Sequence, residues 1–324
     1  MILAGDIGGT KSYLALFDES KNRLGKIRET RFENRKFPDF DSIIEEFLKD
    51  GNEKPRVACM GVAGPIVDGN CSLTNLDWRV ETGRLKKQID KVYLINDLVA
   101  LACAVPCLED KDVAVLQPGL QLKEGRISVV AAGTGLGHAF LIPTGSGKYY
   151  AVDSEGGHAD FAPRNKLETE LLFFLQKKFA RVSVERVVSG PGVVHIFEFI
   201  KEYFYSGTSE DWQEGLRNEE LAAEIISCAV KKQSELCEKT LSLFVELYGA
   251  LAGNLALQFL SKGGIYLGGG IVPRILPLLK QGLFMQSFLE KGRFKNFLTE
   301  FPVKVILNDR SALLGAAQYA FKHQ

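Results

Sequence analysis

Three glycine clusters carry the residue types that could do chemistry here: Asp6-Ile7-Gly8-Gly9-Thr10-Lys11, Ala132-Gly133-Thr134-Gly135-Leu136-Gly137 and Leu267-Gly268-Gly269-Gly270-Ile271. Glycine lets backbone come close to a bulky partner, and successive free N–H groups in a tight turn form a nest for an anion. In the first cluster Thr10 adds a hydroxyl and Lys11 a positive charge, and Asp6 stands before two glycines that an ordinary hairpin does not need. A tight hairpin without a ligand is the plain alternative for any one of them. The second cluster is not a Rossmann fingerprint, because an apolar strand pattern follows where a helix would begin, and no G-x-x-x-x-G-K-[ST] P-loop occurs. What remains is two hairpin turns able to grip phosphates. The third turn, ahead of a helix expected to start near Val272, could take the nucleoside.

The polar clusters suit an acceptor with hydroxyls. Tyr93-Leu94-Ile95-Asn96-Asp97 ends a strand-like run, and an apolar helical run follows. Polar groups at the carboxyl ends of strands in α/β sheets point into the ligand crevice. An aspartate there can orient a hydroxyl nucleophile and accept its proton, as phosphoryl transfer requires, or it can simply cap the helix at Leu98. The stretch VDSEGGHADFAP sets Glu155, His158 and Asp160 around a Gly-Gly turn, in a chain with only four histidines. Carboxylate accepts and imidazole can donate, which fits a polyol. No further histidine or carboxylate spacing supports a metal site there, and a polar surface turn is the rival reading. Glu185 falls in the first turn of a short helix expected to stop at Gly190-Pro191, where the helix dipole alone favours a carboxylate.

These residues need elements to hold them. The 324 residues are enough for two domains, and 46% apolar with 25% charged residues is the balance of an ordinary globular chain. Lys+Arg and Asp+Glu stand at 40 each, so nothing electrostatic argues for nucleic acid or an anionic membrane as partner. No apolar run is expected to span a bilayer, and Asp6 interrupts the N-terminal run too early for a signal peptide. None of the six cysteines forms a C-x-x-C pair, so buried free thiols of a reducing cytoplasm are expected, with Cys103 and Cys107 only a weak metal or redox signal.

Strand-like runs (ILAGD, SYLALFD, RVACMGVAG, KVYLIND, ISVVAAG, HAFLIP, GIYLGG, VKVILND) alternate with helical patterns at Phe40–Leu48, Leu98–Val105, Glu168–Phe179, a long stretch around Leu221–Leu260, and Ala312–Lys322. Ser311 and Ser183 are the expected caps of the helices that follow them. ILAGDIGGTKSYLALFD and ISVVAAGTGLGHAFLIP echo one another as strand, Gly-Thr turn, strand. That repeat predicts two similar α/β lobes, each offering a glycine turn to a shared cleft. The loop-rich stretches Asn70–Lys91 and Pro106–Arg126 are expected to hold the boundary.

Taken in order, GDIGGTK, LTNLDW, LINDLVA, AAGTGLG, EGGHADFAP, VERVVSGPG, YLGGGIVPR and KGRF resemble the motifs of the bacterial glucokinase family, within the hexokinase–actin–chaperone ATPase superfamily. The resemblance runs from Leu3 to Gly315. It implies two actin/hexokinase-like (ribonuclease H-like) α/β lobes flanking a deep cleft. The small lobe would be residues 1–107, completed by the C-terminal helix 310–324, and the large lobe residues 108–309. It implies Asp97 as catalytic base on the sugar 6-hydroxyl, with Asn96, Glu155, His158 and Glu185 binding the other hydroxyls and Gly135 approaching both sugar and phosphoryl group. Asp6 would hold Mg²⁺ of MgATP indirectly, with no direct protein ligand. Gly8, Gly9, Thr10 and Lys11, with Gly133 and Thr134, would line the phosphates, and Gly268, Gly269 and Gly270 the adenosine. A cytoplasmic homodimer at the entry step of glycolysis is the accompanying expectation. Two departures stand out. The closely spaced cysteines of the related repressor/kinase group are missing, and Lys11 replaces the Asn of some relatives. Kinases of other hexoses or of N-acetylmannosamine, and a non-catalytic sugar-responsive regulator, are the alternatives.

Overall fold

The apolar runs around the first glycine turn become antiparallel strands, β1 (Ile2–Ile7) and β2 (Lys11–Ser20), with Ile7 opposite Ser12. In a computed structural model of the chain, the residues described are all except 21–22, 50, 52–53, 65, 74–77 and 206–217. The chain divides into two units, one of Met1–Glu109, Ala151–Asp153 and Asn308–Gln324, the other of Asp110–Tyr150 and Ser154–Leu307.

In the first unit β3 (Arg23–Glu33) pairs with β2, and β4 (Val57–Val62) and β8 (Lys91–Asn96) extend the sheet in parallel from β1, giving the order β3-β2-β1-β4-β8. Strands β1 and β4 are almost continuously apolar because both their faces are covered. Leu3 and Ile7 join the core with Phe40, Ile43 and Phe47 of α1 (Phe40–Lys49). Ile2 and Ala4 join the opposite core with Val99 of α3 (Asp97–Ala104) and Leu313 and Ala317 of α11 (Ser311–His323). A small three-stranded sheet, β5 (Ile66–Val67), β6 (Asn70–Ser72) and β7 (Arg79–Glu81), leads into α2 (Thr82–Leu85).

The second unit repeats the plan. Its sheet runs in the order β12-β11-β10-β13-β14-β9, with Ala151–Asp153 of β12 counted in the first unit. These strands are β9 (Val113–Gln117), β10 (Ile127–Ala132), β11 (Leu136–Gly145), β12 (Lys148–Ser154), β13 (Gly264–Gly268) and β14 (Val303–Ile306). Strand β10 is antiparallel to β11 and parallel to β13. Helices α4 (Lys166–Gln176), α5 (Gly190–Tyr205), α6 (Asn218–Val230) and α7 (Glu235–Phe259) supply most of the core, followed by α8 (Leu276–Leu279), α9 (Leu283–Leu289) and α10 (Lys295–Leu298). By length and composition α7 could cross a bilayer, contrary to the sequence expectation, yet 78% of its most apolar window is buried inside the protein. Its Tyr248 hydroxyl donates to the Val130 carbonyl at 2.9 Å.

Several sequence expectations change. Gly190-Pro191 begins a 16-residue helix instead of ending one, and the expected helix around Glu185 is the single turn Val184–Arg186. Proline loses no hydrogen bond in a first turn, so it can open a helix as well as stop one. The helix expected near Val272 is only Leu276–Leu279. The stretch around Leu221–Leu260 is two helices, broken near Lys232, whose φ is +56°. Ser311 is not the cap of α11 but lies inside it, its hydroxyl donating to Asn308 O at 2.8 Å. Ser183 caps only with its backbone. Strand β3, charged and at the sheet edge, hides its pattern from a periodicity reading. Four cysteines are buried, but Cys107 is exposed.

Candidate active site

Side chains alternate along a strand. Asp6 therefore shares the face of Ile2 and Ala4, the one covered by the helix that begins at Asp97 and the helix that follows Arg310. Burial first, and the negative charge of Asp97 second, raise the Asp6 carboxyl from 3.8 to about 7, with Arg310 opposing. The Arg310 guanidinium lies 3.9 Å from the centre of the Tyr13 ring, directly across the ladder from Asp6, and is hydrogen-bonded to Glu29.

The turn after Asp6 is held by Asn34, which is fully buried. Asn34 Nδ2 donates to Gly8 O at 2.8 Å, and Asn34 Oδ1 accepts from Ser12 Oγ at 2.8 Å. Its backbone N–H donates to Thr10 O, and Gly8 N–H donates to Lys11 O, both at 3.1 Å. Gly8 and Gly9 are half-buried, while Thr10 and Lys11 are exposed.

Strand β8 ends at Asn96, and α3 starts at Asp97. The capping role weighed for Asp97 falls first on Asn96, whose Oδ1 accepts from Leu98 N–H at 2.8 Å; Asp97 Oδ1 shares the same donor at 2.9 Å. Asp97 is half-buried in the first turn of α3. Of the LTNLDW motif, residues 74–77 lie outside the described residues.

In the second unit three polar groups gather. His158 Nε2 lies 3.9 Å from Glu155 Oε2, and His158 Nδ1 lies 3.9 Å from Glu185 Oε1. Glu155 and His158 come from the turn after β12, and Glu185 from the single helical turn Val184–Arg186. Backbone bonds tie the two segments: Phe161 N–H donates to Val182 O at 3.0 Å, and Val184 N–H to Ala159 O at 2.9 Å. Asp160 forms an ion pair with Arg181 at 2.8 Å, and the same Arg181 nitrogen donates to His158 O at 2.8 Å.

Glu185 also reaches the glycine hairpin, its Oε2 accepting from Leu136 N–H at 2.9 Å. A Cβ on Gly135 would stand 2.8 Å from that same oxygen, so glycine is what allows the close approach. Gly133 N–H donates to Gly135 O at 2.9 Å, and Gly133 O accepts from Gly190 N–H at 2.7 Å. Gly133, Thr134, Gly190, Pro191, Gly270 and Arg274 line a cavity of about 400 Å³. Gly269 has φ +90° and packs on the Ala132 carbonyl where a side chain would collide, which brings the Gly268–Gly270 turn against the second hairpin.

Three participants escaped the sequence reading. Asn34 and Arg310 lie far along the chain from the turn they serve, and neither sits in a glycine or carboxylate cluster. Leu136 offers only its backbone N–H, which no residue pattern reports.

The chain matches the glucokinase family model over residues 3–323. It is 43% identical over 334 residues to the glucokinase of Nostoc punctiforme, covering 98% of both chains. To the glucokinase of Photorhabdus laumondii it is 34% identical over 320 residues, covering 98% of this chain and 96% of that one. Among solved structures it is similar to a glucokinase from an Antarctic psychrotroph, with TM-score 0.86 at 32% identity, covering 99% of this chain and 98% of that one. A ROK family glucokinase from Streptomyces griseus in complex with glucose and AMPPNP shares the fold, with TM-score 0.64 at 18% identity, covering 99% of both chains. A match along nearly the whole length, with curated relatives above 40% identity at the same coverage, places this chain in the glucokinase family.

Proposed function

We propose that the protein transfers the γ-phosphoryl group of MgATP to the 6-hydroxyl of glucose, releasing glucose 6-phosphate and ADP. One observation carries the reading. The turn Gly133–Gly135 has the hydroxyl-binding set Glu155, His158 and Glu185 beside one end, and at the other a cavity of about 400 Å³ that it shares with Gly270. That volume is in the range of small-molecule sites, so a single glycine turn serves an acceptor and a nucleotide.

Asp97 takes the proton of the attacking 6-hydroxyl as the bond to phosphorus forms. Asn96, Glu155, His158 and Glu185 bind the remaining hydroxyls. A sugar with one hydroxyl misplaced leaves one of these groups unpaired once the bound sugar covers it, at about 1–3 kcal/mol. N–H groups of the turns at Gly8–Gly9 and Gly133–Gly135 face the phosphate oxygens, with Thr10, Lys11 and Thr134 beside them, and Gly268–Gly270 faces adenosine.

The surroundings of Asp6 fit Mg²⁺, since burial and Asp97 hold its carboxyl near neutrality and a cation arriving with the nucleotide would favour the ionised form. Bound there indirectly, Mg²⁺ would supply charge stabilisation to the phosphoryl oxygens. The corresponding strand orders of the two sheets support the reading of duplicated actin/hexokinase-like lobes, and the deep cleft belongs to the same proposal. A cytoplasmic homodimer acting at the entry of glycolysis completes the proposal.

The test is ATP-dependent phosphorylation of a panel of hexoses and N-acetylmannosamine, with sugar-free ATP hydrolysis as control. Transfer to glucose far above the control is expected. Transfer chiefly to another sugar would overturn the substrate, and transfer to none would overturn the kinase.

A further inference from the structure

We propose that His138 is a positioning residue for the acceptor sugar: its ring is the floor on which Gly156 rests, and so it sets where Glu155 and His158 stand. The inference rests on the reading of that turn as sugar-binding.

His138 lies on β11 opposite Val130, on the face whose Val130, Ala132 and Leu136 enter the main core of the second unit. It is 2% exposed, and among the described residues neither ring nitrogen has a hydrogen-bond partner. A buried imidazole without a partner costs stability that an aliphatic side chain would not. Desolvation lowers its pKa from 6.5 to about 4, so the ring stays uncharged near neutral pH.

The Nδ1 side of this ring lies against the Glu155–His158 turn. A Cβ built on Gly156 would stand 2.5 Å from His138 Nδ1 and 3.3 Å from its Cε1. Ser154 Oγ lies 3.1 Å from the same point and accepts from Gly156 N–H at 3.1 Å. Gly156 is not among the residues with positive φ, so its backbone would accept alanine, and what demands glycine is the ring beneath it. Two residues before His138, the Leu136 N–H holds Glu185, and the Leu136 carbonyl packs against Gly157. The start of β11 therefore gathers Glu155, His158 and Glu185, and His138 is a polar side chain there that the proposed chemistry does not otherwise use.

A double-mutant cycle on the full-length protein tests this: His138→Ala, Gly156→Ala and the pair, read as KM for glucose, KM for ATP, kcat, Tm and calorimetric glucose affinity. Each single variant is expected to weaken glucose about tenfold while KM for ATP moves less than about twofold. The pair is expected to recover much of that loss, because the added methyl occupies the space that the ring vacated. His138→Gln, which keeps more volume, serves if His138→Ala does not fold, and is expected to lose less. The proposal is overturned by an unchanged glucose KM in His138→Ala. It is equally overturned if both KM values rise in step with a falling Tm, or if the two effects simply multiply in the pair. Should wild type prefer another sugar, the same ratios read on that sugar decide the role of His138 separately from the glucose assignment. If wild type binds no sugar, both readings fall.

Discussion

The two glycine hairpins share a backbone plan and differ in what holds their turns. In each, the first strand pairs antiparallel with the second and parallel with a later strand, and the orders β3-β2-β1-β4-β8 and β12-β11-β10-β13-β14 correspond place by place. One position before the last pair of each ladder, the first hairpin has Asp6 opposite Tyr13 and the second has Ala131 opposite Gly137. The first turn is clamped by one buried side chain, Asn34. The second is clamped by backbone, through Gly190 N–H to Gly133 O and Ile271 N–H to Ala132 O, and borrows a carboxylate from Glu185. The repeated fold supplies two equivalent places for a phosphate-sized turn. Charge belongs to the first by its own strand, and comes to the second only from what packs beside it.

The contrast can be broken at several points. If the reacting proton belongs to the charged unit, Asp97→Ala lowers kcat about a thousandfold while calorimetric glucose binding persists; near-normal turnover would remove Asp97 from catalysis. Next in size, Asn34→Ala leaves the Ser12 hydroxyl and the Gly8 carbonyl without their partner. It should cost about 1–3 kcal/mol in denaturant unfolding and raise KM for ATP. An unchanged midpoint would mean that the first turn is held by its ladder alone.

In the second hairpin, Gly135→Ala must push Glu185 aside, so KM for glucose should rise about tenfold with little loss of stability. Equal changes in both substrates' KM would count against a sugar role for that contact.

The smallest expected effect is on pH dependence. Asp6 has a folded-state pKa of about 7 against 3.8 unfolded, so its ionisation costs the folded state. That cost is absent below about pH 3.8, grows between 3.8 and about 7, and is complete above. In metal-free buffer Asp6→Asn should therefore raise Tm at pH 8 and leave it unchanged at pH 3.5. Ala131→Asp, at the corresponding place in the second hairpin, tests whether Arg310 and the facing helices make the first site special. Proteolytic stability and Tm of that variant should fall with rising pH more steeply than wild type.

Much of this was readable from local pattern. The echo between Ile2–Asp18 and Ile127–Pro143 is a statement about alternation and glycine placement, and hydrogen-bonded hairpins are local enough for such patterns to determine them. The grouping of Glu155 with His158 is likewise local, three residues apart around a Gly-Gly turn. The Gly190-Pro191 dipeptide can stop one element or open the next, and only the buried apolar face that follows, with Val193, Ile196, Phe197 and Ile200, decides that it opens a helix.

From its sequence alone, then, the chain determines two strand–glycine–strand hairpins, an α/β alternation, and carboxylates standing beside glycine turns, since each depends on neighbours along the backbone. Tertiary structure alone decides that Asp6 is pushed near neutrality, that Asn34 and Glu185 hold turns remote from them in sequence, and that His138, without a hydrogen-bond partner among the described residues, lies under Gly156. Those properties arise from desolvation and from contacts between distant segments, and neither quantity exists until the chain has packed.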